Sequence, residues 1–161
     1  MKKIVTKVIF ILGFATQSIQ SAPEQSQQEK NIETIRRFFD EKYNDPSVDA
    51  KKAQEIIERY IHPDYVQHVD GKTLYYKDSL PHRVAQLKLI KDIKITFDHL
   101  AADGDKVYSI HRAKATKLKG GDVEVRVFAL FRLRDGKIYF CDELTHVIKG
   151  EKEDKEIGSK H

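Results

Sequence analysis

Two stretches carry side chains of the kind that move protons. If residues 138–147 alternate as a strand, Ile138, Phe140, Asp142 and Leu144 share one face. A carboxylate among apolar neighbours binds its proton more tightly, which suits a general base. A bulge would turn Glu143 to that face instead, because a slip of one residue flips every side chain. A salt-bridged or rim carboxylate is the structural alternative for Asp142. On residues 107–116, Val107, Ser109, His111, Ala113 and Ala115 share a face, and the small ones leave room for a ligand beside His111. A packed core histidine is the alternative there. His62 at a helix end, His82 in a first helical turn and His99 near a hairpin suit structural roles.

Other chemistries find little support. No close pair of acids suggests glycoside hydrolysis. Ser109 has no nucleophile motif around it, and there is no glycine-rich phosphate loop. Cys141 is the single cysteine, so neither an intrachain disulfide nor a cysteine zinc cluster can form. His68, His111 and Asp142 are residue types that suit zinc, but their spacing gives a metal no specific support. No metal or cofactor is expected.

The elements that must position these groups follow from periodicity. Ile32, Ile35, Phe39 and Tyr43 recur at helical spacing behind Asn31, a candidate cap. Ala53, Ile56, Ile57, Tyr60 and Ile61 mark a second helix, and Leu80, Val84 and Leu87 a third. Residues 65–69 form a short strand. From Ile93 onward the period changes to two. Asp103-Gly104, Gly120-Gly121 and Asp135-Gly136 then separate four antiparallel strands. Helices lead and a meander follows, an α+β order. A strongly curved sheet with helices over its concave side would enclose a pocket.

Composition sets the surroundings. Of 161 residues, 40% are hydrophobic and 34% charged, enough for one core and against general disorder. The 29 basic residues fall to 26 when Lys2, Lys3 and Lys7 are set aside, against 25 acids. A near-neutral domain has no electrostatic footprint for phosphates, so no nucleic-acid partner is expected. Residues 1–21 read as a secretory signal peptide: a basic start, an apolar run over 8–15, and small residues before a cut after Ser21. The apolar run is far short of the roughly 20 residues that span a bilayer, so no stable membrane insertion is expected after cleavage. The layout looks bacterial, which makes the periplasm or secretion the expected compartment. Residues 22–30 read as a flexible lead-in, 31–149 as the domain and 150–161 as a charged tail.

Three stretches resemble the SnoaL-like family of the nuclear-transport-factor-2-like superfamily. They are His62-Pro63-Asp64-Tyr65-Val66-Gln67-His68, Asp103-Gly104-Asp105-Lys106-Val107 and residues 131–138 (FRLRDGKI). The resemblance implies a cone-shaped, cystatin-like α+β barrel with three N-terminal helices, one deep pocket and a homodimer packed through sheet faces. It implies that His68 points into the pocket, where a turn-proximal surface histidine is the alternative. It also implies a basic role for His111, but the acid that the epoxide-hydrolase relatives carry two residues later is Ala113 here. Tyr65, Tyr108, Phe140 and Ser109 complete the expected ligand contacts.

The first functional reading is a cofactor-free isomerase, cyclase or lyase on a small apolar substrate, with Asp142 as base and His111 or His68 holding the oxyanion. The alternatives are a non-catalytic binding module for a small hydrophobic ligand and an interaction domain. The leader has its own test: protein from a periplasmic fraction is expected to lack residues 1–21 by intact mass, and a cytosolic product retaining Met1 would contradict it.

Overall fold

The computed structural model describes residues 25–151 and residue 154, so the expected leader lies outside the described residues. Helix α1 spans Gln27–Phe39. Ser26 caps it in a reciprocal box: the Glu29 amide donates to Ser26 Oγ at 3.3 Å, and the Ser26 amide donates to Glu29 Oε2 at 2.8 Å. The helix therefore begins before Asn31, inside the stretch expected to be flexible. Asn31 is instead buried, and its Nδ2 donates to the Gly104 carbonyl at 3.0 Å. A π-helical turn, Asp40–Asn44, extends α1. Helix α2, Ala50–Tyr60, is capped by Asp49 and runs directly into strand β1, Ile61–Val69.

A tight turn through Asp70 and Gly71, both with positive φ, leads to a short strand that periodicity did not reveal, β2, Lys72–Tyr75. Helix α3, Ser79–Leu87, follows. Four long strands follow: β3, Ile90–Asp103; β4, Lys106–Lys117; β5, Asp122–Arg134; and β6, Lys137–Lys149. The six strands lie in the order β2-β1-β6-β5-β4-β3. The sheet is mixed, because β1 runs parallel to β6 while the other neighbours are antiparallel. It curves without closing, leaving β2 and β3 as edges. Register shifts between Phe97 and His99 and between Arg132 and Leu133 mark bulges, which add twist to long strands.

The helices cover the concave face. Ile35, Phe38 and Phe39 of α1 and Ala53, Ile56 and Ile57 of α2 pack with Val107, Phe131 and Ile138 in one core. The Phe39 ring meets Phe97 at 5.2 Å and Phe131 at 5.8 Å between centroids, both edge to face. Helix α3 is rotated from its apolar stripe, although Leu80 still packs against the core. Its buried residues are Ser79, His82, Arg83 and Gln86, while Leu80, Val84 and Leu87 are half-buried. A polar helix face thus turns inward.

Asn44 joins the π turn to the open edge of β3. Its Oδ1 accepts from the Ile95 amide at 2.6 Å, and its Nδ2 donates to the Ile95 carbonyl at 3.0 Å. Those two edge groups would otherwise lack a strand partner. Asn44→Ala is expected to cost about 1–3 kcal/mol in denaturant unfolding; an unchanged midpoint would contradict the docking role.

Candidate functional site

A cavity of about 110 Å³ lies between the concave face and the helices. Strand pairing orders its walls. Phe131 pairs with Cys141, Ala129 with Glu143, Val127 with both His111 and Thr145, and Val123 with Ala115. The Val123 and Ala115 end faces His82 and Gln86 of α3 and Asp154 beyond β6. The walls between are largely apolar.

Glu143 borders this cavity and is half-buried. Gln67 Nε2 donates to its Oε1 at 2.8 Å, and the Cys141 thiol lies 3.8 Å from Oε2. Tyr65 in turn donates its hydroxyl to Gln67 Oε1 at 3.2 Å, which fixes the amide orientation. Burial raises the Glu143 carboxyl to about 7, with the Asp70 charge adding to the rise; the Gln67 bond and the Lys42 charge oppose it. Burial likewise pushes the Tyr65 and Cys141 protons far above their usual ranges.

His111 moves the other way. Burial lowers it to about 4, so the ring is neutral at neutral pH. Its Nδ1 lies 3.0 Å from Ser109 Oγ, and its ring packs against Phe39 and Phe97 at centroid distances of 5.1 and 5.4 Å. Lys42 completes the inner site. It is only 6% exposed and lines the cavity. Its Nζ sits 5.0 Å from the ring centroids of both Phe38 and Tyr43. Among the described residues it makes no ion pair or hydrogen bond. Burying an ammonium costs several kcal/mol, and two ring faces offset about 0.5–2 kcal/mol each. On α3, Gln86 Nε2 approaches His82 Nε2 at 3.1 Å, while Gln86 Oε1 has no partner among the described residues.

The three expected catalytic residues do not converge. His111 faces the cavity, but Asp142 is exposed on the convex face, where it neighbours Leu130 and His68 in the pairing. The cause is a bulge. Leu133 pairs with Ile138 and Arg132 with Phe140, so Tyr139 is an extra residue in β6. Ile138 and Cys141 are both 1% exposed and both inward, which brings Glu143 in and sends Asp142 out. His68 is also exposed; its Nδ1 lies 3.1 Å from Thr73 Oγ1, and its ring meets the edge of Phe140.

Of the expected ligand contacts, Tyr65 lines the cavity and Ser109 is buried beside His111. Tyr108 is 44% exposed on the convex face, and Phe140 shares that face with His68. A second bulge, at Asp98, puts His99 outside as well. Lys42, Gln67 and Gln86 did not stand out as site residues. Two of them left a trace in the pattern. Lys42 continues the buried stripe Ile35, Phe38, Phe39 at helical spacing, and Gln67 alternates with Tyr65 along β1.

Comparison with known proteins agrees with this architecture. The SnoaL-like domain family matches residues 35–140. An uncharacterized protein of Schizosaccharomyces pombe is 32% identical over 125 residues, covering 78% of this chain and 92% of that one. A structure from Jannaschia sp. CCS1, provisionally described as a SnoaL-like polyketide cyclase, superposes with a TM-score of 0.63 at 17% identity, covering 77% of this chain and 91% of that one. A Mycobacterium tuberculosis LEH-like epoxide hydrolase also gives 0.63, at 13% identity and coverages of 75% and 86%. At those identities the structures establish a shared fold and nothing finer. With the family match, the fungal relative and the helix-covered curved sheet in agreement, this chain belongs to the SnoaL-like domain family.

Proposed function

We propose that this protein is a cofactor-free proton-transfer enzyme, an isomerase, cyclase or lyase, acting on a small and largely apolar carbonyl compound. Glu143 carries the reading: a half-buried carboxylate on an apolar-walled cavity, holding its proton up to about 7. A group with that affinity can both take and return a proton near neutral pH. In this scheme Glu143 removes a proton from the carbon beside the carbonyl, and the bonding pair moves onto the carbonyl oxygen as an enolate.

His111 would hold that oxygen. In the tautomer in which Nδ1 accepts from the Ser109 hydroxyl, 3.0 Å away, the neutral ring carries its hydrogen on Nε2 and can donate it. Where the substrate carries a β,γ double bond, Glu143 then returns the proton to the γ-carbon of the dienolate; otherwise the enolate carbon attacks a second carbonyl of the same substrate, closes a ring, and the resulting alkoxide takes the proton back from Glu143. The Tyr65–Gln67 chain keeps the base oriented. The cavity volume of about 110 Å³ favours a small substrate. Ala113 in place of a second acid weighs against epoxide hydrolysis.

The reading includes export and a homodimer. The convex face supports the latter, because Tyr108, Phe128 and Leu144 are 44%, 46% and 65% exposed. Their clustering on one sheet face gives a second copy an apolar surface to cover. Sedimentation should give a dimer, and Phe128→Lys with Leu144→Glu should give a folded monomer; a monomeric parent protein would exclude this interface.

The proton-transfer step is testable without a known substrate. In deuterated water the protein is expected to accelerate exchange of the hydrogens beside the carbonyl of cyclohexanone. The rate should rise with pH through about 7 as Glu143 ionises. Glu143→Gln should slow it by about 10²–10⁴-fold. Equal rates in the parent protein and the Glu143→Gln variant would remove the catalytic reading and leave a non-catalytic binder.

A further inference from the structure

We propose that the cavity takes a small organic acid, whose carboxylate pairs with the Lys42 ammonium while its short aliphatic body lies against the valine and isoleucine walls. The inference deepens the reading of this cavity as a small-molecule site and does not depend on turnover. Buried charges are ordinarily paired and hydrogen-bonded. Lys42 is buried and borders the cavity, yet among the described residues only ring faces meet its ammonium. Glu143 acts on it through charge, without an ion pair. An anion entering the cavity would supply the missing acceptor.

The apolar remainder of the ligand follows from the sheet wall of the cavity. Ile93 and Ile95 on β3, Ala113 on β4 and Val125 and Val127 on β5 offer no charge to a ligand body. A phosphate or sulfate would leave that wall uncovered, whereas a branched short-chain acid covers it. The volume suits an acid of that size.

Glu143 then tunes the site. The titratable groups around the cavity are Lys42 and Tyr43 on the π turn, Tyr65 on β1, His82 on α3, His111 on β4, Cys141 and Glu143 on β6, and Asp154. Asp70 acts on Glu143 from the β1–β2 turn. As Glu143 ionises above about 7, a second negative charge enters the site and disfavours an anionic ligand.

Isovalerate and isovaleramide provide a matched probe pair of nearly equal shape, differing in charge. Titrated at pH 6 and followed by NMR, isovalerate is expected to bind the parent protein about tenfold tighter than isovaleramide or more. The preference should shrink at pH 8. In Glu143→Gln it should persist at both pH values. Lys42→Met should abolish it and Lys42→Arg should retain it, with thermal unfolding used to confirm that each variant is folded. Equal binding of the two probes would overturn the proposal, as would undiminished isovalerate binding by folded Lys42→Met. If only the amide binds, the cavity remains a ligand site but not for acids. If neither binds, both the acid proposal and the small-molecule reading fail. Should Lys42→Met not fold, the parent protein and Glu143→Gln arms still decide the outcome.

Discussion

One extra residue in β6 sets the chemistry of the cavity. Tyr139 has no pairing partner on β5, and the strand beyond it is shifted by one position. Its ring is held by Arg134 and Arg132, whose guanidinium carbons lie 4.4 and 5.4 Å from the centroid, and its hydroxyl donates to Asp105 Oδ2 at 3.3 Å. The bulge is therefore anchored on the outside of the sheet. Its effect is felt inside, because every residue after it changes face. Cys141, Glu143 and Thr145 line the cavity, and Asp142 and Leu144 do not.

Burial then acts with opposite sign on two ionisable groups that line the cavity. It disfavours charge, so the Glu143 acid is raised to about 7 and the His111 base lowered to about 4. Near neutral pH a neutral imidazole and a carboxyl able to exchange its proton line the same cavity. Neither group needs a metal or a paired acid to reach that state. The same low-polarity surroundings make Lys42 costly to keep buried with ring faces alone.

The polar inward face of α3 belongs to the same pattern. A helix with Ser79, His82, Arg83 and Gln86 buried contributes little to an apolar core, and Ser79 Oγ, Arg83 Nε and Gln86 Oε1 lack partners among the described residues. Such groups weaken a fold that must keep them dry. The stability comes from elsewhere, from the α1 and α2 stripes against the sheet. The chain thus separates a strongly packed half from a polar half that borders the cavity.

The α+β order, the helical stripes and the alternating strands were legible because each rests on local periodicity, which neighbouring residues determine among themselves. The family resemblance in residues 62–68, 103–107 and 131–138 was legible for the same reason. Three features depended on tertiary structure. The parallel pairing of β1 with β6 joins segments far apart in sequence. The orientation of α3 is decided by the cavity it borders, against its own apolar pattern. The choice of Glu143 over Asp142 depends on a bulge whose position is set by cross-strand pairing and by Arg132, Arg134 and Asp105 on other strands and turns. Alternation names two adjacent carboxylates; only the register of β6 against β5 decides which one meets the cavity.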